Sequence, residues 1–144
     1  MSVPRLALHT WSLDTTPLAD ALVAARGAGW DAIELRRVDF DRAVAAGRPA
    51  ESVLDLVKAS GLPVACVGVE FGWMWAEGTE RARLLRVFDE QCARAAALGA
   101  GLVMSPVDKT KGPVARAAAG VREDRKSTRL NSSHIQKSRM PSSA

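Results

Sequence analysis

The chain has 144 residues, 47% hydrophobic and 25% charged, enough for one domain of ordinary soluble composition. Its longest apolar run, residues 62–69, is far too short to span a bilayer, so no membrane partner is expected. The formal charge of +4 is confined to the end: residues 1–121 hold fourteen Lys and Arg against fourteen Asp and Glu, so the body gives no ground for a nucleic-acid partner.

A first strand is predicted at Arg5–His9, followed by a loop from Thr10 to Asp14. A helix should start at Thr16-Pro17, a capping hydroxyl followed by proline at the first helical position. Its apolar positions are Leu18, Leu22 and Ala25, and Gly27 and Gly29 end it. The second strand is Ala32–Arg36. The second helix is interrupted: a short piece at Asp41–Ala46, a break at Gly47-Arg48-Pro49, then Ala50–Ser60 with Val53, Leu54, Leu56 and Val57 toward the core. Strand three is Val64–Glu70. The longest helix is Thr79–Leu98, with Leu84, Leu85, Phe88, Cys92, Ala95 and Ala96 as its apolar stripe. Strand four is Leu102–Ser105, stopped by Pro106. A loop at Asp108–Gly112 leads to a helix from Pro113 to about Val121.

This is one plan used four times, at roughly 26 to 38 residues per unit, the size of a βα unit. The fold class expected is α/β: a parallel sheet flanked by helices, forming the first four units of a TIM (β/α)8 barrel. Residues 1–121 would be that half-barrel and residues 122–144 a disordered basic tail with no amphipathic period.

Parallel strands in such a series carry helices on one face, and alternation assigns the faces. Leu6, Leu8, Ile33, Leu35, Val67 and Val69 should face the helices. Ala7, His9, Ala32, Glu34, Arg36, Cys66, Gly68 and Glu70 should face the lumen. Polar residues thus gather at the C-terminal strand ends, where barrel enzymes place their sites. His9, Glu34, Arg36 and Glu70 are the candidate substrate-binding residues on these strand ends. Each has a plainer role open to it: Glu34 and Arg36 as an internal ion pair, His9 as a hydrogen-bonded core histidine, Glu70 as the edge of a covering loop. The loop Phe71-Gly72-Trp73-Met74-Trp75 can stack on a sugar or base, or cover the barrel mouth. Asp108 reads as a loop or cap residue.

Several chemistries lack their residues. There is no Gly-x-Gly-x-x-Gly after the first strand, no Gly-Lys-Ser/Thr phosphate loop and no serine elbow. His9 and His134 are the two histidines, and His134 lies in the tail, so the body offers no His/carboxylate metal set. Cys66 and Cys92 lack zinc or redox spacing and read as small buried hydrophobes. With no signal peptide in the first residues, the expected location is cytoplasmic.

The runs Leu6-Ala7-Leu8-His9-Thr10-Trp11-Ser12-Leu13, Gly27-Ala28-Gly29-Trp30-Asp31-Ala32-Ile33-Glu34-Leu35-Arg36 and Leu98-Gly99-Ala100-Gly101-Leu102-Val103 resemble the sugar phosphate isomerase/epimerase family, with its xylose isomerase-like TIM barrel. The resemblance covers about residues 5–121, the N-terminal half of such a domain. It implies a barrel that binds a divalent metal (manganese, magnesium, cobalt or zinc) and isomerises or epimerises a small sugar or polyol. The reaction moves a proton beside a carbonyl: carboxylates serve as acid and base, and the metal steadies the enediolate oxygen. The family's metal-binding Glu, Asp, His and Glu come from later strands without counterparts here, so no metal ligand is carried over. His9, Trp11, Glu34, Arg36 and Glu70 would form the early-strand pocket wall.

Residues 124–134 resemble a tail that arises when sequencing-adapter DNA is translated as coding sequence, so an artefactual end on a truncated gene is expected. The chain as given should then be inactive, and its open sheet prone to self-association. The alternatives are a non-catalytic βα module that binds a ligand or partner, and an apurinic/apyrimidinic endonuclease-like repair barrel. The endonuclease reading ranks lower because it needs several histidines, some from the first half, where the sequence offers His9 alone, and because the body is neutral.

Overall fold

The structure, a computed structural model, describes residues 5–106 and 112–123. Asp108, His134 and residues 124–144 lie outside the described residues. Four strands, β1 (Ala7–His9), β2 (Ala32–Leu35), β3 (Val64–Gly68) and β4 (Val103–Met104), form one parallel sheet in the order β1-β2-β3-β4. Between them run α1 (Leu18–Gly27), the pair α2 (Arg37–Ala45) and α3 (Ser52–Ser60), and α4 (Gly78–Ala97). Residues 114–123 are also helical. Consecutive parallel strands in sequence order, each joined by a helical crossover, match a partial TIM barrel.

The core lies between sheet and helices. Ile33, Leu35 and Val67 are at most 1% exposed and pack with Leu22 and Ala25 of α1, Phe40 of α2, and Val53 and Val57 of α3. Each of these side chains except Ala25 contributes roughly 1.5–3 kcal/mol by leaving water. Leu6 departs from the expected pattern. It precedes β1 and is 60% exposed, while its backbone carbonyl accepts the Asp31 and Ala32 N–H groups.

One bulge sets the phase of β3. Ile33 pairs with Val64, but Glu34 pairs with Cys66, so Ala65 is an extra residue. Strict alternation would turn Val64 to the open face. The bulge returns it to the core while keeping Cys66 on the open face, beside Glu34.

The helix starts differ from their predicted positions for local reasons. Thr16 does not cap α1: its N–H bonds Leu13 O, and Pro17, with an extended ψ of 140°, is itself the cap residue. A 3-10 turn (Thr10–Leu13) fills the expected loop. Helix α2 begins four residues before Asp41, because the Asp39 carboxylate accepts the Arg36 backbone N–H at 2.8 Å and Arg37 pairs with Asp41 one turn on. The break at Gly47-Arg48-Pro49 stands, with Gly47 at φ +74°. The stripe of α4 is Leu84, Phe88, Gln91 and Ala95; Ala96 faces solvent, and the buried Gln91 was not foreseen.

Strand β4 is short and thinly covered. Val103 and Met104 are 38% and 41% exposed, and Leu102 before them 69%. The helix at 114–123 packs on the loop after β3 and the start of α4, through Arg116 with Glu77 and Arg81 with Glu123. That helix runs two residues past Val121.

Candidate functional site

The open face of the sheet carries one polar row. Backbone register places His9 beside Glu34, and Glu34 beside Cys66, across three adjacent strands near their C-terminal ends. All three side chains are half-buried. His9 closes β1 and caps the 3-10 turn, its Nδ1 accepting the Trp11 N–H at 3.1 Å. In the neutral ring the proton then sits on Nε2, leaving a donor. Burial, reinforced by the nearby Glu34 charge, raises the Cys66 thiol pKa, which disfavours its reactive thiolate. Gly68 lies in the row above, where a Cβ would sit 3.5 Å from Leu35 O. Trp11 is 71% exposed beside this row.

Arg36 and Glu70 do not join the row. Strand β2 ends at Leu35, and Arg36 becomes the cap residue of α2. Its guanidinium turns toward the loop after β1: Nε donates to Thr10 Oγ1 at 2.9 Å, and the terminal nitrogens reach Asp14 at 2.5 Å and Asp39 at 3.1 Å. The Glu34–Arg36 pair considered from spacing is therefore replaced by Asp14–Arg36–Asp39. Thr10 also donates to Asp39 at 2.6 Å. Hydrogen bonds from Arg36 and then Arg42 hold the Asp14 carboxyl below the usual carboxylate range. Glu70 pairs with Arg37 Nε at 3.1 Å and accepts the Phe71 N–H. The adjacent arginines thus reach in opposite directions, Arg36 to the loop after β1 and Arg37 to the loop after β3.

Thr10, Asp14, Arg37, Asp39 and Arg42 were not singled out from the sequence. A signal existed for Asp39, three residues after Arg36, where a carboxylate can cap the first turn of a helix.

The aromatic loop divides its roles. Trp73 is 3% exposed, meets Phe88 edge-on at 5.2 Å and donates Nε1–H to Ser105 at 2.9 Å, so it covers a second core cluster. Phe71 stays 46% exposed. With Glu70, Trp75, Glu80 and Arg83 it lines an open cleft of about 420 Å³. Trp75 Nε1 is buried without a partner among the described residues.

Metal fit is poor on the described residues: no group of three or more His, Cys, Asp or Glu stands close enough to hold an ion. His9, Glu34 and Cys66 share a row but do not converge. No helix among the described residues is long and apolar enough to cross a membrane.

No protein-family profile and no curated protein sequence matches the chain. Among solved structures it is similar to a xylose isomerase domain protein from Alicyclobacillus acidocaldarius subsp. acidocaldarius, at 22% identity and a TM-score of 0.63. The match covers 82% of this chain and 43% of that one, so the chain spans less than half the length of the protein it resembles. The fold of the described residues is thereby a xylose isomerase-like partial TIM barrel.

Proposed function

We propose that this chain is the substrate-holding first half of a sugar or polyol isomerase/epimerase barrel that works in the cytoplasm. The observation that supports the reading most is the His9–Glu34–Cys66 row at the C-terminal end of a xylose isomerase-like sheet. Its chemistry suits a polyhydroxylated ligand. The Nε2–H of His9 donates to a hydroxyl or carbonyl oxygen, the Glu34 carboxylate accepts from a hydroxyl, and Trp11 and Phe71 offer exposed ring faces to sugar C–H groups.

Reaction needs more than this wall. The parent chemistry, a metal-assisted proton shift beside a carbonyl, requires a converging ligand set that the described residues do not provide. No step through a metal is assigned to them, and the chain by itself binds without turning over. The β4 edge, unpaired among the described residues, with Val103 and Met104 exposed and Leu102 exposed just before it, further favours self-association of the isolated chain.

The test is ligand-observed NMR with D-xylose and xylitol on the full chain, beside an aldose–ketose conversion assay with added Mn²⁺ or Mg²⁺. Weak binding lost in Glu34→Gln, without turnover, is expected. No binding of either compound would overturn the sugar reading, and robust metal-dependent turnover would overturn the assignment of the chain as a wall alone.

A further inference from the structure

The sheet ends twice without a neighbour. Among the described residues β1 pairs with β2 alone and β4 with β3 alone, so each end strand presents an unpaired edge. Neither strand holds a lysine, an arginine or a carboxylate, the charges that ordinarily guard an edge. The core lies on the helix side, and the face of His9, Glu34 and Cys66 carries no second layer among the described residues. All-parallel sheets are ordinarily covered on both faces.

Exposed apolar side chains gather at the same two ends. With each strand and the helices after it taken as a unit, the two middle units expose one large apolar side chain apiece, Val44 and Phe71. The first unit exposes Leu6 just before β1 and Val23 on α1. The fourth exposes Leu102, Val103 and Met104 around β4, and Val114 on the helix after it. Leu6 has the parity of Leu8, which packs on the helix-side core, yet Leu6 itself stays uncovered. Charge does not oppose a meeting of two copies, since residues 1–121 balance fourteen cations against fourteen anions.

We infer that the half-barrel closes on a second copy of the same chain, β4 of each copy pairing with β1 of the other. One two-fold axis then satisfies all four edges, and two four-stranded sheets make the eight strands of a closed parallel barrel. Such a barrel has a shear of about eight, so about four residues per half. The register leads from His9 through Glu34 and Cys66 to the level of Leu102. Four residues before His9 is Arg5, which sets Val103 beside Leu6 of the partner copy, both on the helix side of the sheet. The opposite offset would set Leu102 against Leu13, which lies in the 3-10 turn and cannot pair as a strand. Closure makes the partner's His9–Glu34–Cys66 row the opposite wall of each copy's own row, so the site is complete only in the dimer. The closure rests on the strand edges and stands whether or not the row takes a sugar.

The experiment is sedimentation velocity of the full chain over rising concentration, with Cys66 alkylation by iodoacetamide followed in parallel by peptide mass spectrometry. A single two-copy species without larger ones is expected, and Cys66 should lose most of its reactivity as that species fills. Leu6→Lys and Met104→Lys, at exposed positions on opposite edges, should each abolish the dimer while far-UV circular dichroism stays unchanged. Val44→Lys, equally exposed on α2 of a middle unit, should leave the dimer intact. Leu6→Cys combined with Val103→Cys should cross-link between copies through a short bis-maleimide. A monomer at all concentrations, or an open-ended ladder of sizes, would overturn the inference. So would a dimer that survives Leu6→Lys, since it pairs through β4 alone, or a dimer in which Cys66 reacts as fast as in the monomer.

Discussion

Replacing Asp39 by alanine probes the joint that ties the first two loops together. Asp39 is 6% exposed and accepts three hydrogen bonds, from Thr10 Oγ1 at 2.6 Å, the Arg36 N–H at 2.8 Å and the Arg36 guanidinium at 3.1 Å. Removing one partner of a buried ion pair costs about 3–5 kcal/mol. The lower end applies here, because Arg36 keeps Asp14 and the Thr10 oxygen still accepts from Arg36 Nε. A loss of about 3 kcal/mol corresponds to a fall in Tm of about 12 °C for a body of this size. The assay is urea unfolding followed by far-UV circular dichroism, at protein concentrations low enough to suppress association. Asp41→Ala is the control, since it removes an exposed pair with Arg37, where losses stay within about 1 kcal/mol. Arg36→Met/Asp39→Leu, which removes both charges, should be less damaging than Asp39→Ala. If Asp39→Ala costs no more than Asp41→Ala, the network is not a structural joint.

Other outcomes follow from the same geometry. Cys66 should alkylate with iodoacetamide more slowly than an unfolded thiol at pH 8, and faster in Glu34→Gln, because burial and then the Glu34 charge disfavour its thiolate; equal rates would refute this. Because burial and the Glu34 charge penalise the thiolate, ionisation of Cys66 costs nothing below the ordinary thiol pKa and lowers stability as pH rises from there through the folded value. Asp14 behaves oppositely: its lowered pKa adds stability above the unfolded carboxyl pKa, lost as pH falls through the folded one, and Arg42→Ala should move that loss to higher pH in an acid titration. Gly61→Ala should cost about 1–2 kcal/mol in urea unfolding, since Gly61 ends α3 at φ +71°. Sedimentation should show concentration-dependent association, weakened by Met104→Lys at the β4 edge; a monomer at all concentrations would contradict an adhesive edge.

The repeat of strand and helix was legible because each strand after the first is a short apolar run that follows a glycine-ended helix, and residues such as Ile33, Leu35 and Val67 obey simple alternation. Placing His9, Glu34 and Cys66 on one face was legible for the same reason. The destination of Arg36 was not. Alternation sends it into the lumen, but β2 ends one residue earlier, and the pull of Asp14 and Asp39 acts from 22 residues before and three after. Glu70 likewise depends on Arg37, a partner 33 residues away that periodicity cannot supply. The bulge at Ala65 is equally silent in sequence, since Val64-Ala65-Cys66-Val67 reads as an unbroken strand.

The paired arginines have a consequence for how this scaffold can be altered. Residues 36 and 37 are neighbours in the chain yet hold different loops, so one peptide couples the first and third rims of the sheet mechanically. A loop exchanged from a relative after β1 or β3 would arrive without its anchor unless Asp14 or Glu70 came with it. Replacing the segment after β2 would release both rims at once. The middle loop is therefore the least exchangeable of the three, and diversity engineered into this rim belongs at its two outer loops.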